Sequence, residues 1–173
     1  MILRDATERD LPAMLAIYNE VIATSTAIYA DSPTSLDERL AWFRARRAEG
    51  LPVLVASEGE EIAGFATFGD FRAWPSYRYT VEHSVHVRHD RRGRGVGRAL
   101  MEELIPQAAA RGKHVMIASV DAANEGSLRF HGRLGFAPVA HFHEVGFKFG
   151  RWLDLVFLQR WLDAPGTLPR PLG

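Results

Sequence analysis

The apolar residues near the start of the chain recur with a helical period. A Thr7–Asp10 pair typical of a helix N-terminus precedes them, and the polar stretch 23–34 ends the pattern. The apolar positions between these two signals are Leu11, Met14, Leu15, Tyr18, Val21 and Ile22. Because side chains three or four positions apart share one face of a helix, the spacing predicts a helix over residues 8–22, followed by a loop.

The next segment predicts a second helix and then a hairpin. Ser35 and Glu38 form a capping box, the side-chain pair that closes a helix N-terminus, and this helix is expected to end near Gly50. The β-branched run at 51–57 reaches an EGEE turn, and residues 61–71 resume the strand pattern. We therefore expect two antiparallel strands after the two helices.

Residues 79–87, YTVEHSVHV, alternate strictly between two kinds of side chain. Successive side chains of a strand point to opposite faces of a sheet. One face carries Tyr79, Val81, His83, Val85 and Val87, and the other carries Thr80, Glu82, Ser84 and His86. The pattern predicts a strand with one markedly polar face.

The second half of the chain alternates helices and strands. Apolar spacing predicts a helix from Val96 to Ala108 that stops at Gly112, and Pro106 is expected to kink or shorten it. Residues 114–120, HVMIASV, are typical of a buried strand.

The C-terminal third completes a mixed α/β pattern. A short helix is predicted over Ser127–Leu134, closed by Gly135, and residues 137–160 predict two more strands. Proline and glycine are frequent in residues 163–173, which predicts a loose tail. Without internal repeats or a linker, residues 1–162 are expected to form one domain.

Composition narrows the class of protein. Apolar residues make up 47% and charged residues 24% of the 173 positions, and Lys+Arg equals Asp+Glu at 21 each. This balance argues against nucleic-acid or anionic-membrane binding. The absence of cysteine excludes disulfides, thiolate metal sites and a cysteine nucleophile. We see neither a signal peptide nor an apolar run near the ~18 residues of a membrane span, and expect a cytoplasmic protein.

The segment Arg91–Leu100, RRGRGVGRAL, is the main candidate for chemistry. It lies between a predicted strand and a predicted helix, where free backbone N–H groups and the helix dipole favour an anion such as a phosphate. Its glycines permit close approach and positive φ, and its arginines add charged donors. These residues are Gly93, Gly95, Gly97, Arg91, Arg92, Arg94 and Arg98.

Two familiar nucleotide motifs do not fit this segment. The P-loop requires Lys-Ser/Thr after its last glycine, where this chain has Arg98-Ala99. The dinucleotide fingerprint requires Gly-x-Gly-x-x-Gly near the first strand of a βαβ unit, and both the spacing and the preceding elements differ.

The segment Arg92–Gly97 instead resembles the pyrophosphate loop of the GNAT superfamily of N-acetyltransferases. It matches Gln/Arg-x-x-Gly-x-Gly/Ala after a strand and before a helix. Asn124, Ser127 and Leu134–Phe136 resemble that family's second cofactor-side motif. The resemblance implies acetyl-CoA as co-substrate and the GNAT fold: a mostly antiparallel, twisted sheet of six to seven strands flanked by about four helices.

Two segments carry a narrower resemblance. Phe71–Val87 and Lys148–Leu155 are similar to the phosphinothricin and methionine sulfoximine (methionine sulfone) acetyltransferase subgroup. This implies acetylation of the α-amino group of a small amino-acid-like molecule, a role in resistance to antibiotics or herbicides, and a homodimer. The alternatives are a GNAT enzyme for another amine (a polyamine, an aminoglycoside or a protein N-terminus) and a non-catalytic CoA-binding module.

The resemblance assigns cofactor roles to matching positions. Backbone groups of the strand end are expected to pair with the pantetheine arm, the loop to hold the pyrophosphate, and Asn124 to bond the arm. The strand positions are Val85, His86 and Val87, and the loop positions are Arg92, Gly93, Arg94, Gly95, Val96, Gly97 and Arg98.

Three residues are candidates for proton transfer. Acetylation requires a neutral amine, so Glu82 is our candidate base, with an ordinary exposed strand carboxylate as the alternative. His83 is a second candidate base, or it helps Glu82 by relaying the proton through water. Strand alternation puts it on the opposite face from Glu82, so a core histidine is the alternative, unless a bulge in the strand changes its facing. His131 stands where the family often has a tyrosine that protonates the thiolate; it either does this or is a helix-surface residue.

The acceptor is expected to bind a basic, aromatic loop beside the polar strand. Arg72 suits a bidentate grip on a carboxylate or phosphinate, and Trp74 suits an aliphatic side chain. The predicted acceptor residues are Arg72, Ala73, Trp74, Tyr77, Glu82, His83 and Ser84. Lys148, Arg151, Trp152 and Asp154 either close the site or form a dimer contact. No metal site is expected, since only His141 and His143 are spaced like ligands.

Overall fold

A computed structural model describes residues 1–169 as one mixed α/β arrangement around a seven-stranded sheet. The strand order is β1-β2-β3-β4-β5-β7-β6. Neighbouring strands of this sheet are antiparallel except β4 and β5, which are parallel. The strands are β1 Ile2–Asp5, β2 Val53–Glu58, β3 Glu61–Asp70, β4 Thr80–Val87, β5 Val115–Asp121, β6 Ala137–Lys148 and β7 Arg151–Trp161.

Within residues 1–169, four α-helices cover the two faces of the sheet. They are α1 Leu11–Thr24, α2 Leu36–Ala48, α3 Val96–Ala110 and α4 Glu125–Arg133. Met14 of α1 and Phe43 of α2 are buried with Phe65 of β3 on one face. Leu100 of α3 is buried with Phe68 of β3 on the other, and α4 packs against the same cluster through Leu128 and Phe130. The expected fold class is confirmed.

Strand β1 is absent from the sequence-based prediction. It has four residues, and Ile2 is 63% exposed, so it shows neither the length nor the alternation that marks the other strands. It pairs antiparallel with β2 at the edge of the sheet, from Ile2↔Ser57 to Asp5↔Leu54.

The helix predictions hold with local corrections. The Thr7 amide donates to Asp10 Oδ2 at 2.7 Å, but the chain there forms a 3₁₀ turn before α1 begins. In α2, the Ser35 amide donates to Glu38 Oε2 at 2.7 Å, as the capping box predicts. Pro106 does not shorten α3, which continues to Ala110.

The parallel pair β4–β5 opens partway along its length. Pairing begins at Thr80↔Val115 and ends at Glu82↔Ile117. Beyond this point β4 remains paired with β3 as far as Val87, and β5 remains paired with β7 as far as Asp121. The two central strands therefore separate directly after Glu82, which leaves one backbone edge of β4 available for another extended group.

The chain beyond β7 has no helix or strand in residues 162–169, and the last four positions of the predicted tail lie outside the described residues. Among residues 1–169, no helix has both the length and the apolar character that crossing a bilayer requires. The domain boundary at residue 162 remains a prediction.

Candidate active site

The glycine-rich loop meets the N-terminus of α3 in a conformation that needs glycine. Gly93 has φ +75° and Gly95, the N-cap residue of α3, has φ +84°. An added Cβ at either position would meet no atom within 4 Å. The requirement is therefore backbone conformation, and the space above the loop is free for an anion at the helix N-terminus.

Gly97 differs from Gly93 and Gly95, although the same conformation is expected of all three. It lies inside α3 and does not adopt positive φ. An added Cβ would lie 3.4 Å from Val87 Cγ2 and 3.5 Å from the Phe130 ring. These are ordinary van der Waals distances, so Gly97 lies where α3 meets the end of β4 and α4, but the packing there does not require a glycine.

Three of the four loop arginines, Arg92, Arg94 and Arg98, remain near the glycine loop. Arg92 Nε donates to the Val87 carbonyl at 3.2 Å, so this side chain follows the free end of β4. Arg98 pairs with Glu102 at 2.7 Å and remains 73% exposed. Arg94 is exposed beside them.

Arg91 turns away from the loop, contrary to expectation. Its guanidinium lies 2.9 Å from Glu61 and 3.4 Å from Glu58, at the β2–β3 turn. Arg91 therefore fastens the start of the loop to that hairpin, and the charge available to an anion comes from the later arginines.

Glu82 lies at the point where β4 and β5 separate. It is the last β4 residue paired with β5, and it is only partly exposed. The Ser119 hydroxyl of β5 donates a hydrogen bond to Glu82 Oε1. The carboxylate is thus fixed across the two strands, which is incompatible with an ordinary exposed strand carboxylate.

Ser119 was not selected from the sequence. The sequence does contain a signal for it: Ser119 and Asp121 are polar residues two positions apart in an otherwise apolar strand. This spacing puts both side chains on one face of β5, which indicates a polar patch there. Asp121 is 3% exposed and accepts hydrogen bonds from the Thr26 hydroxyl and, at 3.3 Å, from Arg151 Nη2.

His86 lies on the Glu82 face of β4, but its ring is in the core. The ring is 5.5 Å from the Tyr18 ring and 5.1 Å from the Phe65 ring, measured between centroids. Burial, with the positive charges of Arg39 and Arg92, lowers the pKa of His86 to about 4. The ring is therefore neutral at pH 7, and only the backbone of His86 is suited to a ligand on the open edge.

His83 points to the opposite face from Glu82, as alternation predicts. The β3–β4 register runs without a shift through this position, so no bulge changes its facing. The ring is 8% exposed and lies 5.1 Å from the His131 ring, and neither ring nitrogen has a hydrogen-bond partner among the described residues. Burial, and then the nearby His131 and His86, lower the pKa of His83 well below its ordinary value.

His131 is buried, so the helix-surface alternative is wrong. It is 4% exposed, and its Nδ1–H donates to the Ser127 carbonyl at 2.8 Å. Burial lowers the pKa of His131, so the ring is mainly neutral at pH 7. In that tautomer Nε2 is an acceptor, and it has no partner within residues 1–169. His83 and His131 thus form a neutral pair between β4 and α4.

Asn124 serves as the N-cap of α4. Its Oδ1 accepts a hydrogen bond from the Ser127 amide at 3.0 Å. The cap fixes Asn124 in the connection between β5 and α4, three residues beyond Asp121, the last residue of the strand that separates from β4.

The acceptor loop leaves β3 next to the start of β4. Phe71 donates its amide to Thr80 two residues before Glu82, and its ring packs edge-on against Tyr77 at 5.8 Å. The Arg72 guanidinium lies 3.9 Å from the Phe71 ring centroid. Ala73 is exposed and Trp74 is 74% exposed, so the loop presents a cation and an indole to solvent.

Lys148 has a role that the sequence did not indicate. It is 4% exposed, and its ammonium donates to the carbonyls of Ile22, Ser25 and Ile28 at 2.7, 2.8 and 2.8 Å. Burial lowers its pKa. Because all three bonds go to the end of α1 and the loop after it, Lys148 acts within the fold and neither closes the site nor forms a dimer contact.

Trp152 and Asp154, which the sequence places in the same segment as Lys148, are more exposed than Lys148. Trp152 is 58% exposed and packs on the Phe147 ring at 5.2 Å. Asp154 accepts hydrogen bonds from the Glu144 amide, His141 and His143, and these hold the pKa of its carboxyl at about 2.

The site combines three features: a glycine loop with free space at the N-terminus of α3, a split between two parallel strands, and a carboxylate at that split. Residues 14–136 match the model of the acetyltransferase (GNAT) family. The chain belongs to the GNAT acetyltransferase family, and the family predicted from the sequence is confirmed.

Individual relatives narrow the comparison. The chain is 48% identical over 168 residues to an L-methionine sulfoximine/L-methionine sulfone acetyltransferase of Pseudomonas paraeruginosa, covering 96% of this chain and 98% of that protein. It is 46% identical over 173 residues to the L-amino acid N-acyltransferase MnaT of Escherichia coli, covering all of both chains. A solved phosphinothricin acetyltransferase from Sinorhizobium meliloti, in complex with acetyl-CoA, superposes with a TM-score of 0.94 at 36% identity, covering 98% of this chain and 93% of that one.

Proposed function

We propose that this protein transfers the acetyl group of acetyl-CoA to the α-amino group of a small amino-acid-like acceptor, such as methionine sulfoximine, methionine sulfone or phosphinothricin. The main support for this proposal is the position of the Glu82 carboxylate, which Ser119 holds at the point where β4 and β5 separate. A carboxylate placed there borders both the open edge of β4 and the acceptor loop. The names of the relatives support the same acceptor class.

The residues of the open edge fit acetyl-CoA. The backbone of Val85–Val87 offers an unpaired strand edge to an extended amide arm, and Gly93 and Gly95 leave space at the positive end of α3 for a pyrophosphate. Arg94 and Arg98 are exposed beside it, with Val96 and Gly97 opening the helix. When bound, acetyl-CoA supplies an activated acyl group on a thiol leaving group.

The acceptor amine is activated by Glu82 in this proposal. An α-ammonium group has to lose a proton before it can attack a carbonyl carbon. Ser119 donates to one carboxylate oxygen, and in this proposal the other oxygen takes the proton of the acceptor. Ser84 lies two residues further along the same face of β4, and we propose that it contacts the acceptor.

Histidines act from the opposite face of β4. We propose that the thiol of the cofactor lies toward His83 and His131, and that these two rings make its surroundings polar but uncharged. Burial depresses the pKa of both rings, and in neutral His131 the Nε2 atom, which has no partner within residues 1–169, is able to accept a hydrogen bond but not to donate one. His131 can protonate the thiolate only after taking up a proton itself, for which Nε2 is the available atom.

The acceptor carboxylate or phosphinate is bound by Arg72 in our proposal. The guanidinium is exposed and presents its planar fork above the Phe71 ring. Trp74 and Tyr77 supply aromatic surface for the acceptor side chain, and Ala73 is exposed beside Trp74 in the same loop. A basic, aromatic loop suits a small anionic acceptor better than a polyamine.

The wider setting follows from this chemistry. We propose a cytoplasmic enzyme without a catalytic metal that protects against amino-acid-like toxins, with residues 1–162 as its single domain and 163–173 as a tail. We also propose a homodimer. Large exposed apolar side chains on the β6–β7 hairpin support it: Phe142, Val145, Phe147, Phe149 and Trp152.

A thiol-release assay tests the function. Acetyl-CoA would be incubated with methionine sulfoximine, methionine sulfone, phosphinothricin, ordinary amino acids, spermidine, an aminoglycoside and a peptide with a free N-terminus. We expect the first three to be preferred. Preference for one of the last three would assign another acceptor. Acetyl-CoA binding with no thiol release from any compound would indicate a non-catalytic module.

A further inference from the structure

A cluster of three potential metal ligands lies on the β6–β7 hairpin, outside the proposed active site. His141 Nε2 is 2.9 Å and His143 Nδ1 is 2.8 Å from the same atom, Asp154 Oδ2. The three ligand atoms lie within 4.8 Å of one another. The sequence indicates the two histidines as a pair, because they are two positions apart. Asp154 lies on the neighbouring strand, and only the pairing of β6 with β7 places it beside them.

The backbone preforms this cluster. His141 and His143 are two residues apart on β6, so they share one face of the strand. The β6–β7 register shifts between Phe142 and Gly146, where Glu144 has φ +53°. This irregularity turns the Glu144 amide toward Asp154, and it donates to Oδ1 at 3.0 Å, which leaves Oδ2 for the histidines.

The ligand set selects a class of ion. Two imidazoles and one carboxylate suit borderline divalent ions such as Zn²⁺, Ni²⁺ and Cu²⁺, whereas Mg²⁺ and Ca²⁺ prefer oxygen ligands throughout. An ion about 2.1 Å from each ligand atom needs these atoms about 3.4 Å apart in tetrahedral geometry, a spacing that small rotations of the exposed rings can reach.

We propose that His141, His143 and Asp154 form a binding site for one divalent transition-metal ion per chain. The ion replaces the two N–H···Oδ2 hydrogen bonds, and each neutral ring moves its single proton to its other nitrogen (Nδ1 of His141 and Nε2 of His143), so that the freed nitrogen binds the ion and no net proton is released. The His143 side chain is 75% exposed and that of His141 is 47% exposed, so water completes the coordination. The ion ties the irregular part of β6 to β7 and takes no part in acetyl transfer.

Calorimetric titration of the untagged, EDTA-treated protein tests the site. Zn²⁺ is expected to bind with a stoichiometry of one per chain, Mg²⁺ to give no comparable heat, and Co²⁺ to give the visible absorption of a site with nitrogen ligands. His143→Ala and His141→Ala should each weaken Zn²⁺ binding by at least about tenfold, since even the loss of a residue that only orients a ligand costs that much.

His89→Ala is the matched control, because it removes an exposed histidine elsewhere. Zn²⁺ affinity should be unchanged in this variant. The inference is overturned if Zn²⁺ binds the His143→Ala and His89→Ala variants equally well, or if the wild-type chain binds Zn²⁺ no better than Mg²⁺. Because binding is measured without acetyl-CoA or acceptor, failure of this site leaves the proposed function untouched.

Discussion

The Ser119 hydroxyl donates a hydrogen bond to the Glu82 carboxylate across the only parallel strand pair of the described sheet. This bond lies where β4 and β5 separate. It therefore joins the two sides of the split on which the proposed chemistry depends.

Replacement of the carboxylate tests Glu82 as the base. In Glu82→Gln, the amide oxygen can still accept from Ser119, so the local fold is expected to persist while the proton acceptor is lost. We expect kcat to fall at least about a hundredfold, the ordinary contribution of a general base, with acetyl-CoA binding unchanged. Steady-state kinetics and acetyl-CoA titration measure the two effects. An unchanged kcat would remove Glu82 from this role.

Removal of the orienting hydroxyl should have a smaller effect. Ser119→Ala leaves the Glu82 carboxylate intact but free to rotate. A hydrogen bond to a charged group contributes about 1.5 kcal/mol or more, so we expect kcat to fall about tenfold. Ser119→Thr keeps the hydroxyl and is expected to restore most of the rate. Equal rates in all three proteins would show that the bond does not position Glu82.

The acceptor loop makes a separate prediction. Arg72→Ala should raise the KM for methionine sulfoximine about 10- to 100-fold, since hydrogen bonds to a charged group contribute about 1.5–3 kcal/mol. The KM for acetyl-CoA should not change. Arg72→Lys keeps the charge but loses the planar fork, so an intermediate KM is expected. A normal acceptor KM in Arg72→Ala would place the anion-binding residue elsewhere.

Much of the fold was accessible from local sequence patterns. The Ser35–Glu38 cap, the glycine loop and the alternation of β4 are determined by neighbouring residues, and a one-residue shift in β4 would exchange its two faces. Strand β1 was missed because four largely exposed residues have no distinctive period.

The candidate site could be predicted only in part from the sequence, because several of its contacts join residues that are far apart along the chain. Ser119 meets Glu82 from 37 positions away, and Lys148 reaches Ile22 from 126. His131 could not be assigned to core or surface, since one polar residue on a short helix gives no direction. Only the packing of α4 against β4 shows that it is buried beside His83.

The buried His86 predicts how stability depends on pH. Its pKa is about 4 in the folded protein and ordinarily about 6.5, so the unfolded chain binds a proton more readily between these values. Stability from the neutral ring is fully present above pH 6.5 and is lost as pH falls toward 4. The loss approaches about 3 kcal/mol. His86→Phe should show a correspondingly weaker pH dependence in urea unfolding.

The control for that experiment is His89→Phe, which changes an exposed histidine three residues away. The difference in unfolding free energy between this variant and the wild type should stay constant from pH 7 to pH 4.5. By contrast, the stability of His86→Phe relative to the wild type should increase as pH falls. Parallel curves for the wild type and His86→Phe would contradict a neutral buried ring.

Lys148 makes the last prediction, about the loop that follows α1. Its ammonium satisfies three carbonyls, and Lys148→Met would leave all three without this donor. The bond to Ile22 is buried and the other two are partly buried, and a buried acceptor left unpaired costs about 1–3 kcal/mol, so we expect a loss of about that size in urea unfolding. The chain has one other lysine, Lys113, which bonds a single carbonyl, that of Arg78, at 2.6 Å. Lys113→Met should therefore cost clearly less, and equal losses in the two variants would show that Lys148 does not hold the loop through all three carbonyls.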